Sequence, residues 1–127
     1  LFFWGKEPGV PESDIGWQLI PEAIYDPLME AARYKVPIYI TENGLADAAD
    51  AYRERFIQDS LVAVHKAIGD GAPVKGYLHW SLLDNYEFKK AYSMQFGLVH
   101  IDREHDLARV IRPSARAYAT ICKENAV

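Results

Sequence analysis

Val36-Pro37-Ile38-Tyr39-Ile40-Thr41, running into Glu42-Asn43-Gly44, is a short β-branched, apolar stretch that ends on a carboxylate and a turn signal. Apolar side chains on both faces predict a parallel strand buried on both sides, not an alternating surface strand. Pro37 is tolerable near a strand start, and Asn43-Gly44 predicts a tight turn directly after it. Upstream, Asp26-Pro27 pairs a capping carboxylate with a first-position proline, so a short helix is expected over Pro27–Tyr34. Residues 1–20, broken by Gly5, Pro8, Gly9, Pro11 and Gly16, are expected to form a long loop. Downstream, Ile57, Leu61, Val64 and Ile68 recur at helical spacing. They predict a helix over Tyr52–Ile68, capped by Asp47 or Asp50 and ended by Gly69 and Gly71. Val74–Trp80 reads as a second strand. Residues 81–112 are aromatic and irregular, with a short strand at Phe96–Ile101, and Pro113 opens a last helix to about Lys123.

The order helix, strand, helix, strand, loop, helix argues for the α/β class, with a parallel sheet and right-handed crossover. Two parallel strands cannot form a stable sheet covered on both faces. Further strands are therefore expected from outside these residues. The chain of 127 residues opens on Leu1-Phe2-Phe3-Trp4, which reads as a start inside a longer protein. It is 50% apolar, 13% aromatic and 25% charged, which excludes disordered and collagen-like classes. Fourteen Lys and Arg against 18 Asp and Glu leave a net charge of −4, so there is no electrostatic footprint for nucleic acid or an anionic membrane. No apolar run approaches the ~20 residues that span a bilayer, and no secretory leader is visible. The single cysteine, Cys122, excludes an internal disulfide and fits a reducing compartment, so a cytoplasmic location is expected. Late in the last helix and without a base partner, Cys122 is expected to be buried and inert. His65, His100 and His105 match no zinc spacing, and no phosphate loop, GxGxxG or GxSxG occurs. No metal or cofactor is expected.

Three features could carry chemistry. Glu42 follows a buried strand, at the carboxyl end where α/β folds bind ligands; an exposed turn glutamate is the bland alternative. Trp80 ends the next strand and is expected beside Glu42, where a ring face could cover sugar C–H groups. A packed core tryptophan fits the same position. Asp84-Asn85-Tyr86-Glu87-Phe88 mixes acidic, amide and aromatic groups in the way polyol recognition requires, or is a solvated loop with two packed rings.

Read together, Ile40-Thr41-Glu42-Asn43-Gly44, Gly76-Tyr77-Leu78-His79-Trp80-Ser81-Leu82-Leu83-Asp84-Asn85-Tyr86-Glu87, Phe96-Gly97-Leu98-Val99 and Pro113-Ser114-Ala115 resemble glycoside hydrolase family 1, the β-glucosidase and β-galactosidase family. Asp14-Ile15-Gly16-Trp17 and Pro21 match as well, and the wording looks most like the archaeal-type branch. The resemblance implies the C-terminal portion of a (β/α)₈ TIM barrel, about its last two strand–helix units, with residues 1–127 as one structural unit. It also implies retaining hydrolysis of a β-glycoside or oligosaccharide, without a cofactor. Glu42 would be the nucleophile and Trp80 the platform under the sugar, with a cis Trp80-Ser81 bond. Glu87 would accept the sugar's 4- and 6-hydroxyls, with Phe88 and Phe96 lining the same subsite.

The chain departs from the family at several points. Phe88 stands where the family has tryptophan; losing that indole donor costs ~1–3 kcal/mol where the partner stays buried. Ala91 stands where glycine is common. Glu87, Met94 and Phe96 replace the serine, lysine and tyrosine of the phosphosugar branch, which argues against a 6-phosphate. The family's acid/base glutamate follows an asparagine on an earlier strand, and no Asn-Glu pair occurs here. The expected partner is therefore the remainder of the barrel, or further copies joined through exposed strand edges. A noncatalytic, self-associating fragment is the alternative.

Overall fold

The computed structural model describes residues 6–127; the apolar start Leu1–Trp4 lies outside the described residues. A 3₁₀ turn at Pro21–Ile24 leads into α1 (Tyr25–Ala32), β1 (Ile38–Asn43), α2 (Arg53–Gly69), β2 (Val74–His79), β3 (Val99–Asp102), β4 (Ala108–Ile111) and α3 (Pro113–Glu124). β1 and β2 pair in parallel, and β3 and β4 form a separate antiparallel hairpin.

The helices and the parallel pair lie where the apolar spacing puts them, with local differences. α1 starts two residues early because Pro21 nucleates a 3₁₀ turn ahead of it, leaving Pro27 in the first helical turn, where no N–H partner is required. β1 runs through Asn43, and Asn43-Gly44 makes no turn. The Asn43 carbonyl accepts the Trp80 N–H at 3.0 Å, which keeps the ladder going. Gly44 then passes so close to β2 that a Cβ on it would lie 1.7 Å from the Trp80 carbonyl oxygen. Glycine is needed there for close approach, not for a turn. The hairpin partner β4 escaped the sequence reading because its turn uses Asp106 and Leu107 at positive φ, without the usual Asn-Gly.

Leu28, Ile40, Val64, Ala67 and Ala72 form the core between α1, α2 and one face of the parallel pair. Each large aliphatic buried this way contributes about 1.5–3 kcal/mol. The other face of the pair is open, with Tyr39 61% and Leu78 53% exposed. Burial on both sides is thus not met within the described residues, because both helices cover the same side. Cys122 also differs from expectation: it is exposed, on the last turn of α3.

Of the two capping candidates, Asp47 takes the start of α2, accepting the N–H groups of Ala51, Tyr52 and Arg53 at 3.2, 2.8 and 3.0 Å. Asp50 pairs instead with the fully buried Arg53 and accepts both N–H (3.0 Å) and Oγ (2.6 Å) of Ser114 at the head of α3. Arg53 Nη2 donates to the carbonyls of Asp47 (2.6 Å) and Gln95 (3.0 Å). Replacing Asp50 by alanine strands a buried guanidinium, so urea unfolding of Asp50→Ala should show a loss of about 3–5 kcal/mol. Asp59→Ala, which breaks only the surface pair with Arg55, should unfold almost as the parent does.

Candidate active site

Because β1 and β2 are parallel, their carboxyl ends emerge on one side. Asn43 is in register with His79, so Glu42 and Trp80 flank the last paired position of the sheet. Glu42 is exposed, and Trp80 is 36% exposed just beyond β2. The Trp80-Ser81 peptide is cis. Residues 81–83 then lie along 96–99: Ser81 N–H donates to the Phe96 carbonyl (3.2 Å), and Leu98 N–H to the Ser81 carbonyl (2.9 Å).

Glu87 and Phe88 sit on the following loop. Glu87 is half-buried, and its Oε1 is buried with no hydrogen-bond partner among the described residues. That oxygen is an acceptor in want of a donor, such as a ligand hydroxyl. Phe88 is 88% exposed on a 3₁₀ turn over Phe88–Lys90. The loop closes on itself through Glu87 N–H to the Ala91 carbonyl at 2.7 Å. Phe96 is 5% exposed and packs against Trp17, with ring centroids 6.5 Å apart. Its ring is thus buried, whereas Glu42 and Trp80 are exposed.

Asp84, read from sequence as part of a polyol-binding loop, turns inward. Its carboxylate accepts from Gly97 N–H (2.8 Å), from Arg112 Nη1 (3.1 and 3.3 Å) and from Ile101 N–H (3.3 Å), and His100 Nδ1 lies 2.9 Å away. Burial alone would raise its pKa, but Arg112, His100 and the Gly97 N–H outweigh it and hold the carboxyl below its usual range. Asp84 thus shapes the loop and is not available to a ligand. Gly97 serves the same junction, since a Cβ there would lie 2.4 Å from the Asp84 nitrogen.

His79 is a site neighbour that sequence reasoning passed over, because a histidine in an apolar strand gives no spacing signal. Neither ring nitrogen has a hydrogen-bond partner among the described residues. Burial, with the nearby Arg53 charge, pushes the imidazole down to about 4; Asp50 and the Phe96 carbonyl pull weakly the other way. Among the described residues, no three metal-ligating side chains cluster.

The model of glycosyl hydrolase family 1 matches residues 4–127. The chain belongs to this family. It is 46% identical over 121 residues to a β-galactosidase of Saccharolobus solfataricus, covering 94% of this chain and 24% of that protein. Two solved structures superpose well. The hyperthermophilic β-glucosidase of Pyrococcus furiosus has a TM-score of 0.90 at 45% identity, over 94% of this chain and 25% of that one. The β-glucosidase of Thermotoga maritima in complex with glucoimidazole has a TM-score of 0.90 at 34% identity, over 96% and 30%. This family 1 chain spans about a quarter of the length of the relatives it matches. Its strand–helix units are a portion of their (β/α)₈ barrel.

The position where the family commonly carries glycine holds Ala91 at φ 50°, ψ −122°. A Cβ in the positive-φ region costs about 1–2 kcal/mol, partly offset by the greater freedom glycine has when unfolded. Ala91→Gly should therefore raise stability by about 1 kcal/mol in urea unfolding, whereas Ala119→Gly, on the exposed face of α3, should lower it by about 0.5–1 kcal/mol.

His79 also sets a pH dependence. Unfolded, it binds a proton near 6.5; folded, only near 4. Between these values the unfolded chain holds the extra proton, so acidification from 6.5 to 4 should remove about 3 kcal/mol of stability. His79→Leu should flatten that slope in urea titrations run across the window.

Proposed function

We propose that these residues form the nucleophile half of a retaining β-glycosidase site. The observation that carries this reading is that Glu42 and Trp80 flank the last paired position, Asn43–His79, at the carboxyl ends of two parallel strands in a family 1 chain. Glu42 attacks the anomeric carbon as the aglycone leaves, forming a glycosyl-enzyme that water then hydrolyses. The leaving oxygen takes its proton from a second carboxyl ~5–5.5 Å away. With no Asn-Glu pair in the chain, that group comes from elsewhere in a barrel, seated on the open face that carries Tyr39 and Leu78. Trp80 underlies the sugar, and the unpartnered Glu87 Oε1 accepts its hydroxyls. Phe88 forms an apolar outer wall without an N–H to donate.

The relatives' names, β-galactosidase and β-glucosidase, support a hexoside substrate. No step needs a metal or cofactor.

The test joins residues 4–127 to the N-terminal three-quarters of the Saccharolobus solfataricus relative and adds a 2-deoxy-2-fluoro aryl β-glucoside. Mass spectrometry should find the sugar on the Glu42 peptide, and Glu42→Ala should lose turnover of an activated aryl β-glucoside by several orders of magnitude. The isolated chain should show no turnover. Label on another carboxylate would defeat the nucleophile assignment. Retaining turnover by the isolated chain would show that the acid lies within it.

A further inference from the structure

The register of β1 against β2 shifts twice, between Ile38 and Tyr39 and again between Ile40 and Asn43, and the second shift falls at Glu42. Ile40 faces Tyr77 and Asn43 faces His79, so three steps along β1 match two along β2. The extra residue lies in Thr41-Glu42 and forms a β-bulge. Burial follows the same break. Ile40 is buried, Thr41 and Glu42 are both exposed, and Asn43 is half-buried. A regular strand alternates faces, which would put Glu42 on the helix-covered side with Ile40. The bulge is what leaves Thr41 and Glu42 both exposed, just before the Asn43–His79 pair that Trp80 follows.

A bulge is a local loss of ladder bonds, so something must hold its downstream end. Asn43 is held three ways. Its carbonyl accepts Trp80 N–H at 3.0 Å, its Oδ1 accepts the Tyr77 hydroxyl at 2.7 Å, and its neighbour Gly44 abuts the Trp80 carbonyl. Of these, the Tyr77 hydroxyl makes the only side-chain bond, and it crosses from the strand opposite the bulge. Tyr77 is itself fixed by α3: the Tyr118 hydroxyl donates to its carbonyl at 3.2 Å, and the two rings meet edge to face at 6.2 Å.

We propose that Tyr77 is a positioning residue for the reaction: through Asn43 it locks the bulge that aims Glu42, and so sets the rate of attack without touching the sugar. The inference rests on Glu42 being the nucleophile. Tyr77 packs against the core on the helix side of the sheet, whereas Glu42 is exposed. Burial keeps the Tyr77 phenol protonated well above its ordinary range, with Tyr118 close by, so it remains a donor at any working pH.

The test uses the joined protein described above. Tyr77→Phe keeps the ring and removes only the bond to Asn43. Its rate of glycosyl trapping by the 2-deoxy-2-fluoro glucoside should fall roughly ten- to a hundredfold, as expected for a nucleophile misplaced by a fraction of an ångström to 1 Å. KM for the aryl glucoside should change by less than about threefold, because the sugar's own contacts stay in place. Asn43→Ala should behave alike, and the double variant should be no slower than the slower single. Parent-like trapping in a folded Tyr77→Phe would overturn the proposal, as would losses that multiply in the double variant. If Asn43→Ala does not fold, the trapping rate of Tyr77→Phe decides the matter by itself. Absence of Glu42 labelling in the unsubstituted protein is a different result and defeats the glycosidase reading itself.

Discussion

A guanidinium buried away from solvent needs a counter-charge and acceptors close by to offset its lost hydration. Arg53 is 0% exposed, and that requirement organises the rest of the chain. Its three partners come from two separate segments: Asp50 and the Asp47 carbonyl before α2, and the Gln95 carbonyl far along the chain. Asp50 in turn holds the first residues of α3 through Ser114. A second buried arginine, Arg112, reaches the same place from the other side. It donates to the Gln95 side chain at 2.6 Å and the Gly97 carbonyl at 2.7 Å. Two cations this close repel, so each needs its own carboxylate: Asp50 serves Arg53, and Asp84 serves Arg112.

This knot lies directly behind the strand ends and limits their freedom. The chain leaving β1 runs through buried Leu45, Ala46 and Asp47, where the Asp47 N–H donates to the Gln95 carbonyl at 3.0 Å. Asp14 adds a clasp, its N–H bonding the Ala46 carbonyl at 2.9 Å and its carboxylate the Ala48 N–H at 2.7 Å. Glu42 therefore sits on a short exposed bulge between two immobilised stretches, the core residue Ile40 and the pinned segment 45–47. Its side chain is open while the backbone on either side of it is held.

Much of this architecture was legible from residue order. Apolar spacing located α2, Pro113 the start of α3, and the β-branched run located β1 together with the carboxylate at its end. Those signals persist because they reflect burial, which acts on every residue of an element. What stayed hidden depends on single encounters between distant positions. Asn43-Gly44 reads as a turn until the Trp80 carbonyl is seen pressing on Gly44. Asp84 reads as a ligand-binding carboxylate until Arg112 is found beside it, 28 residues away. The bulge at Thr41-Glu42 has no local signature at all, since it is a mismatch between two strands and belongs to neither sequence alone.

The same division explains where this chain departs from its family's pattern. Gly44 lies where the backbones of two strands are in contact, and a Cβ there would push the Trp80 carbonyl away. The loop from Glu87 to Ala91 closes through its own short bonds and leaves Phe88 88% exposed. A ring that packs against nothing can lose its indole N–H without cost to the fold, and Ala91 can carry backbone strain that stays local. Substitutions in this loop therefore cost the fold less than substitutions at the strand ends. At its base the buried Glu87 Oε1 is left without a hydrogen-bond partner among the described residues.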